Sequence, residues 1–158
     1  MFRPQLKVVD CTIRDGGLTN NSHFTAATVR AAYNAACRAG VDYVELGYRN
    51  SKEMFDPSEY GPWRFCDESQ LSEVTDGIDP GETKLAVMMD AHKSDENDIL
   101  PREESVVDLI RIATYVKDAD KAIRLAQVAR ERGYDCTINV MAISNEGGPT
   151  LTEALQQF

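Results

Sequence analysis

The sequence lacks the features that mark membrane-spanning and nucleic-acid-binding proteins. No apolar run approaches the ~20 residues that a transmembrane helix needs, and the N-terminus shows no basic-then-apolar pattern typical of a signal peptide. Positive charge is scarce, because 17 Lys and Arg stand against 26 Asp and Glu, for a formal net charge of −9. Such a surface repels nucleic acid. We therefore predict a cytoplasmic protein that binds neither nucleic acid nor membrane.

Cysteine is also sparse and irregularly spaced. The sequence contains no C-x-x-C pair, and its four cysteines are Cys11, Cys37, Cys66 and Cys136. Zinc sites and disulfide scaffolds need closer and more regular spacing, so we predict four reduced thiols. We expect Cys11 to be a core residue of a first strand rather than a nucleophile, because Arg14 is its only basic neighbour in sequence.

What the chain does contain is an alternation of short apolar strands and amphipathic helices, within a length that suits one domain over residues 1–158. Strands are predicted over residues 7–15, 41–48, 84–90, 109–116 and 136–144. Helices are predicted after Thr25 up to Arg38, near residues 69–75 and over residues 118–132. A last helix is predicted to begin with Thr150 or Thr152 as its cap.

This alternation predicts an α/β fold with a parallel sheet and right-handed connections. Two architectures fit the pattern equally well. One is an open, doubly wound sheet. The other is a partial TIM (β/α)8 barrel consisting of the first five βα units, since a whole barrel typically needs ~250 residues. The periodicity alone does not decide between them.

Polar side chains follow the predicted strands, where the functional groups of α/β proteins gather. Those that we single out are Arg14, Asp15, Glu45, Asp90, His92 and Asn145. A carboxylate such as Asp15 is a hard oxygen ligand for Mg²⁺ or Mn²⁺. The neighbouring Arg14 could bind an enolate oxygen or a substrate carboxylate. The alternative is an Arg–Asp ion pair that only closes a loop.

The segment "DCTIRDGG" resembles the D-x-T-L-R-D-G signature of the DRE-type TIM-barrel metallolyases. This superfamily includes hydroxymethylglutaryl-CoA lyase, the 4-hydroxy-2-oxovalerate aldolases and the isopropylmalate synthases. The longer segment "DCTIRDGGLTNNSHF" and the following "GVDYVELGYRN" are most similar to its HMGL-like, aldolase-type members. The resemblance is sharp over residues 8–24 and 41–50.

The resemblance implies a metal-dependent carbon–carbon bond lyase that acts on a small oxo- or hydroxy-acid. Asp15 would be the metal ligand for Mg²⁺ or Mn²⁺, and Arg14 and Glu45 would be catalytic. Asp10 and Thr12 would support the motif from below. Asp90, His92 and Asn145 remain additional candidates for the site.

The sequence also departs from the pattern of this superfamily. It contains no H-x-H metal motif, and Leu18 stands near the position where the related aldolases carry a catalytic histidine. We therefore expect this chain to be the N-terminal portion of such a barrel, a fragment whose own activity stays open. One alternative is a condensing synthase that uses an acyl-CoA. Another is a non-catalytic half-barrel that binds a ligand or forms homo-oligomers through exposed sheet edges.

Overall fold

A computed structural model describes residues 5–158. Residues 1–4 lie outside this range. The prediction that the N-terminus carries no signal-peptide pattern falls partly on them. Within it, five strands form one parallel sheet in the order β1-β2-β3-β4-β5. The strands are β1 Val9–Asp10, β2 Tyr43–Tyr48, β3 Lys84–Asp90, β4 Leu109–Thr114 and β5 Asp135–Val140.

The strand order decides between the two predicted architectures. Right-handed crossovers between strands that follow one another in the same direction place every connecting helix on one face of the sheet. A doubly wound sheet needs a reversal of strand order, which this sheet does not have. The predicted partial TIM barrel, a curled half-barrel of five βα units, is therefore confirmed.

Most of the predicted helices are confirmed. The helices are α1 Thr12–Gly16, α2 Ala26–Ala39, α3 Glu68–Thr75, α4 Ala119–Glu131 and α5 Gly148–Leu155. Thr25 caps α2 by accepting a hydrogen bond from the backbone N–H of Thr28, and Gly40 ends it with a φ of 69°. The predicted cap of α5 is wrong, because α5 begins at Gly148 and has Pro149 in its first turn, where proline is favoured.

The first predicted strand is the main error in secondary structure. β1 ends at Asp10, and the chain turns into α1 two residues later. The Asp10 carboxylate accepts hydrogen bonds from the backbone N–H of Thr12 at 3.0 Å and from its hydroxyl at 3.1 Å. An aspartate that bonds its own backbone two residues on favours a turn over a strand. Arg14 and Asp15 therefore lie on a short helix above the strand, and Cys11 lies at the start of that helix.

The two faces of the sheet have different roles. Successive side chains of a strand point to opposite faces, so Glu45 points away from Val44 and Leu46. Val44 and Leu46 belong to the hydrophobic core, together with Val29 and Tyr33 of α2. The charged side chain of Glu45 is buried on the other face of β2. This alternation separates the packing residues of β2 from the residue on which the candidate site depends.

Gly47 allows the segment after β2 to pack against that strand. A Cβ atom at Gly47 would lie 2.1 Å from the backbone oxygen of Trp63 and 2.6 Å from Sγ of Cys66. The close approach holds the 3₁₀ turn Pro62–Arg64 beside the carboxyl end of β2. In residues 5–158, no helix is both long enough and apolar enough to cross a membrane.

Candidate active site

The candidate site is centred on Glu45, whose side chain has 0 % exposure. Its Oε1 accepts a hydrogen bond from Nε of Arg14 at 2.7 Å, and its Oε2 accepts one from Nη1 of Arg111 at 2.9 Å. Charge-assisted hydrogen bonds of this kind are among the stronger ones in proteins. One buried carboxylate therefore holds two guanidinium groups, and this three-residue cluster carries one net positive charge.

Three separate elements bring the cluster together. Arg14 lies on α1, which packs against β2, and Glu45 lies within β2. Arg111 lies in the middle of β4. Its neighbour on β3 is Met88, and the neighbour of Met88 on β2 is Tyr48. Sequence reasoning paired Arg14 with Glu45 but missed Arg111. The available signal was a lone arginine inside the otherwise apolar strand "LIRIAT", since a charge is rarely buried without a partner.

Arg14 has further polar neighbours at the edge of the cluster. Its Nη1 lies 2.5 Å from Oδ1 of Asp15 and 3.5 Å from the Tyr48 hydroxyl. Burial opposes the charged guanidinium, but hydrogen bonds to Glu45 and Tyr48 outweigh this effect and raise the pKa of Arg14 above its already high ordinary value. Its Nη2 makes no hydrogen bond to any residue within the described range. Arg14 therefore keeps its charge and has one nitrogen without a hydrogen-bond partner among the described residues.

Asp15 offers one oxygen ligand for a metal ion, because its side chain is 63 % exposed. Among residues 5–158, no group of three or more His, Cys, Asp or Glu side chains is arranged to hold a metal. Mg²⁺ requires six ligands, several of which are usually waters and substrate oxygens. Asp15 fits the role of one ligand, whereas the described residues do not complete a site. Its role as metal ligand stays a prediction.

Cys11 borders the cluster but does not have the properties of a nucleophile. Its Sγ lies 3.5 Å from Nη1 of Arg111. Burial raises the pKa of the Cys11 thiol, and the nearby Glu45 charge raises it further. A thiol must ionise to attack, so a raised pKa favours the inert form. The sequence prediction placed Cys11 within a strand, which is wrong, but its half-buried position agrees with a packing role.

The additional candidates make their contacts with other residues. His92 contacts the Asp118 carboxylate, and its Nδ1 lies 3.0 Å from Nζ of Lys121 on α4. Asp90 accepts a hydrogen bond from the His92 backbone N–H at 3.0 Å. Asn145 is exposed in a 3₁₀ turn after β5. None of these contacts joins them to the Glu45 cluster, so their roles in the site stay predictions.

The fold and the cluster together define a class of protein. Arg14 and Asp15 follow the carboxyl end of β1 in a TIM-barrel-type sheet, the end at which the active sites of such barrels are found, and Arg14 bonds Glu45 within β2. The likeness to a TIM-barrel enzyme therefore extends from the architecture to the position of the polar cluster.

Comparison with known proteins narrows this class. No family model matches the chain. It is 27 % identical over 147 residues to 4-hydroxy-2-oxovalerate aldolase 6 of Rhodococcus jostii (strain RHA1), a match that covers 90 % of this chain and 41 % of that protein. It is 27 % identical over 133 residues to the 4-hydroxy-2-oxovalerate aldolase of Moorella thermoacetica, covering 84 % of this chain and 38 % of the other. The chain thus spans about two fifths of the length of these curated relatives.

A solved structure agrees with these relatives. The N-terminal domain of a "putative aldolase" from Bacteroides vulgatus matches with a TM-score of 0.77 and 31 % sequence identity. The match covers 94 % of this chain and 49 % of that one. The predicted resemblance to the DRE-type metallolyases, in particular to the N-terminal part of their aldolase-type members, is confirmed.

Proposed function

We propose that this protein acts as an aldolase-like lyase that cleaves a carbon–carbon bond in a small hydroxy-substituted 2-oxo acid. The observation that carries this proposal is the pair of hydrogen bonds that Glu45 accepts from Arg14 and Arg111. They hold the Arg14 guanidinium at the carboxyl end of the sheet with one nitrogen unused by the described residues. The relatives named 4-hydroxy-2-oxovalerate aldolase support this reaction class.

The chemistry of such a cleavage explains why a fixed arginine is useful. The hydroxyl on the carbon that leaves gives its proton to a base and becomes the carbonyl of the released product. The electron pair of the broken bond moves toward the carbonyl of the other fragment and produces an enolate oxygen, and the enolate then takes up a proton. A guanidinium cannot lose its proton at physiological pH, so Arg14 donates hydrogen bonds to that oxygen without titrating. Glu45 is fully buried, and both of its oxygens accept hydrogen bonds from arginines. We therefore assign it as a positioning residue that orients Arg14.

We also propose that a divalent cation, Mg²⁺ or Mn²⁺, takes part and that Asp15 is the ligand from this segment. The exposed carboxylate next to Arg14 is a hard oxygen donor, which these ions prefer. Such an ion would supply Lewis-acid polarisation of the substrate carbonyl. In this proposal Arg14 retains its own task of binding the enolate oxygen.

The test is a cleavage assay with 4-hydroxy-2-oxovalerate in the presence of Mg²⁺ or Mn²⁺, with release of pyruvate as the readout. We expect Arg14→Gln to lower kcat by about 10²–10³-fold, the usual loss when a donor to a developing oxyanion is removed. Arg38→Gln is the matched control, because Arg38 is an exposed residue at the end of α2. No pyruvate from the unaltered protein, or full activity in Arg14→Gln, would contradict the proposal.

A second copy of this chain is our proposal for a protein partner. Within the described residues, β1 and β5 each pair with one strand only and form the two edges of the sheet. Unpaired strand edges can hydrogen-bond to another strand. Homo-oligomer formation through these edges is therefore consistent with the sheet order.

A further inference from the structure

Arg64 occupies an unusual environment beside the candidate site. It ends the 3₁₀ turn Pro62–Arg64 and is only 8 % exposed. Its guanidinium carbon lies 4.7 Å from the ring centroid of Tyr48, 5.1 Å from that of Tyr60 and 5.3 Å from that of Phe55. All three distances are within the range of cation–π contacts. We refer to Arg64, enclosed by these three rings, as the caged arginine.

The caged arginine has no anionic partner within the described residues. Its Nε is buried without a hydrogen-bond partner, and its guanidinium forms no ion pair in residues 5–158. The other buried arginine of this region, Arg49, also has a buried nitrogen without a partner, Nη1, but its Nη2 donates to Glu68 at 2.6 Å, so it is paired with an anion. Aromatic faces offset part of the cost of burying a charge but accept no conventional hydrogen bond. A buried donor without a protein partner can be satisfied by a water, an ion or a ligand.

The position of the caged arginine links it to the site. Tyr48 is the last residue of β2, and its ring lies close to both guanidinium groups: the carbon of Arg14 is 5.8 Å from the centroid and that of Arg64 is 4.7 Å. The Tyr48 hydroxyl is 3.5 Å from Nη1 of Arg14. The close packing at Gly47 holds the Arg64 turn in this place. Arg14 and Arg64 therefore share one aromatic neighbour, Tyr48, at the carboxyl end of β2.

We propose that Arg64 is a specificity-determining residue that binds a carboxylate group of the substrate beside Arg14. This inference rests on the proposed function, because it assumes that Arg14 binds the enolate oxygen of a 2-oxo acid. A carboxylate suits the site, since the planar guanidinium fork matches it with two parallel hydrogen bonds. The three rings exclude water, which strengthens such a pair relative to one in solvent. Arg14 then remains available to the enolate oxygen.

The buried Nε provides a direct probe of this assignment. We would titrate the protein with pyruvate and follow the Arg64 Nε–Hε resonance by ¹H–¹⁵N NMR, with Arg64→Lys used to assign the signal. A downfield shift of Hε is expected, because a carboxylate would accept the hydrogen bond that Nε lacks. In Arg64→Gln we expect the affinity for pyruvate, measured from backbone amide shifts, to fall about tenfold or more. Arg38→Gln, which removes the same charge from an exposed site, should leave it unchanged.

Titration with inorganic phosphate and the comparison of variants distinguish the possible outcomes. Inorganic phosphate that shifts the resonance as strongly as pyruvate at equal concentration would indicate a general oxyanion site and overturn the substrate assignment. An unchanged resonance with pyruvate, or equal affinity in Arg64→Gln, would leave Arg64 as a structural cation–π contact only. The two proposals can fail separately. Binding of pyruvate through Arg64 without cleavage activity contradicts the proposed lyase, whereas cleavage unaffected by Arg64→Gln contradicts this inference alone.

Discussion

At the scale of single residues, Glu45 has the greatest influence on the geometry of the site. It is buried completely and both of its oxygens are hydrogen-bonded to arginines. An ion pair in such a place contributes less to stability than its geometry suggests, because removing the charges from water is costly. Breaking the pair is a different matter, because it leaves the remaining charges buried and uncompensated.

Glu45→Gln tests this cluster. The amide keeps the shape of the carboxylate but loses its charge and one acceptor oxygen, so Arg111 is left without an anionic partner among the described residues and Arg14 keeps only the exposed Asp15. We expect the free energy of unfolding to fall by about 3–5 kcal/mol, as measured by urea denaturation. Glu103→Gln, at an exposed position, should change it by less than about 0.5 kcal/mol. A small effect at Glu45 would contradict the strong coupling that we assign to the cluster.

Cys66 leads to a prediction about pH. Burial raises the pKa of its thiol to about 12, compared with an ordinary value of 9.0. The unfolded chain therefore loses this proton at a lower pH than the folded protein does, and the contribution of Cys66 to stability declines as pH rises from about 9 to about 12. Cys66→Ala should reduce the slope of the unfolding free energy in this range by up to about 1.4 kcal/mol per pH unit. An identical slope in the variant would show that the thiol does not contribute.

At the scale of elements, the change from β1 to α1 places the functional side chains. The Asp10 carboxylate receives two hydrogen bonds from Thr12 and starts the helix that carries Arg14 and Asp15. The sequence motif thus combines a local turn signal with the residues that the turn orients. The bond from Arg14 to Glu45 then attaches this short helix to β2.

Asp10→Ala should separate stability from ligand binding at this element. Asp10 precedes the cap position, and each of its hydrogen bonds to Thr12 is worth about 0.5–1.5 kcal/mol, so we expect a decrease in unfolding free energy of about 1–2 kcal/mol together with weaker binding of pyruvate. The matched variant is Asp95→Ala, which removes a similar bond to the backbone N–H of Asn97 in another loop. It should destabilise the protein comparably without affecting the ligand. Equal effects of both variants on pyruvate affinity would argue against a specific role for α1.

Gly47→Ala tests the attachment of the Pro62–Arg64 turn to β2. The added Cβ would meet the Trp63 backbone oxygen at 2.1 Å, and a backbone atom cannot rotate out of the way. We expect a loss of about 1–3 kcal/mol in unfolding free energy, together with a changed Arg64 Nε–Hε resonance. Gly147→Ala is the control, because nothing lies within 4 Å of a Cβ at that position. Equal stability of the two variants would contradict the packing argument.

At the scale of the whole molecule, the sheet has two edges within the described residues. β1 is only Val9–Asp10, whereas β5 extends over Asp135–Val140 with alternate residues exposed. An exposed edge of this length favours pairing with another strand. We therefore expect light scattering after size exclusion to give a mass of at least two chains at high protein concentration. A mass of one chain throughout a dilution series would contradict the proposed homo-oligomer.

The sequence by itself determined most of the elements and part of the site. Hydrophobic periodicity, the Thr25 cap and the Gly40 terminator define α2, because these signals act between neighbouring residues. The motif around Arg14 and the acid at Glu45 also indicated the site, through their resemblance to a known signature. β1 was predicted too long because the local hydrogen bonds of Asp10 favour a turn over a strand.

Only the tertiary structure decided the features that depend on pairing between distant segments. The sequential strand order selects the half-barrel over the doubly wound sheet, and periodicity carries no information about strand order. The meeting of Arg111 with Glu45 depends on strand register, and they are 66 residues apart in sequence. The enclosure of Arg64 by three rings likewise requires the packing of a loop on β2. Local patterns specify elements, whereas long-range contacts bring these charged groups together.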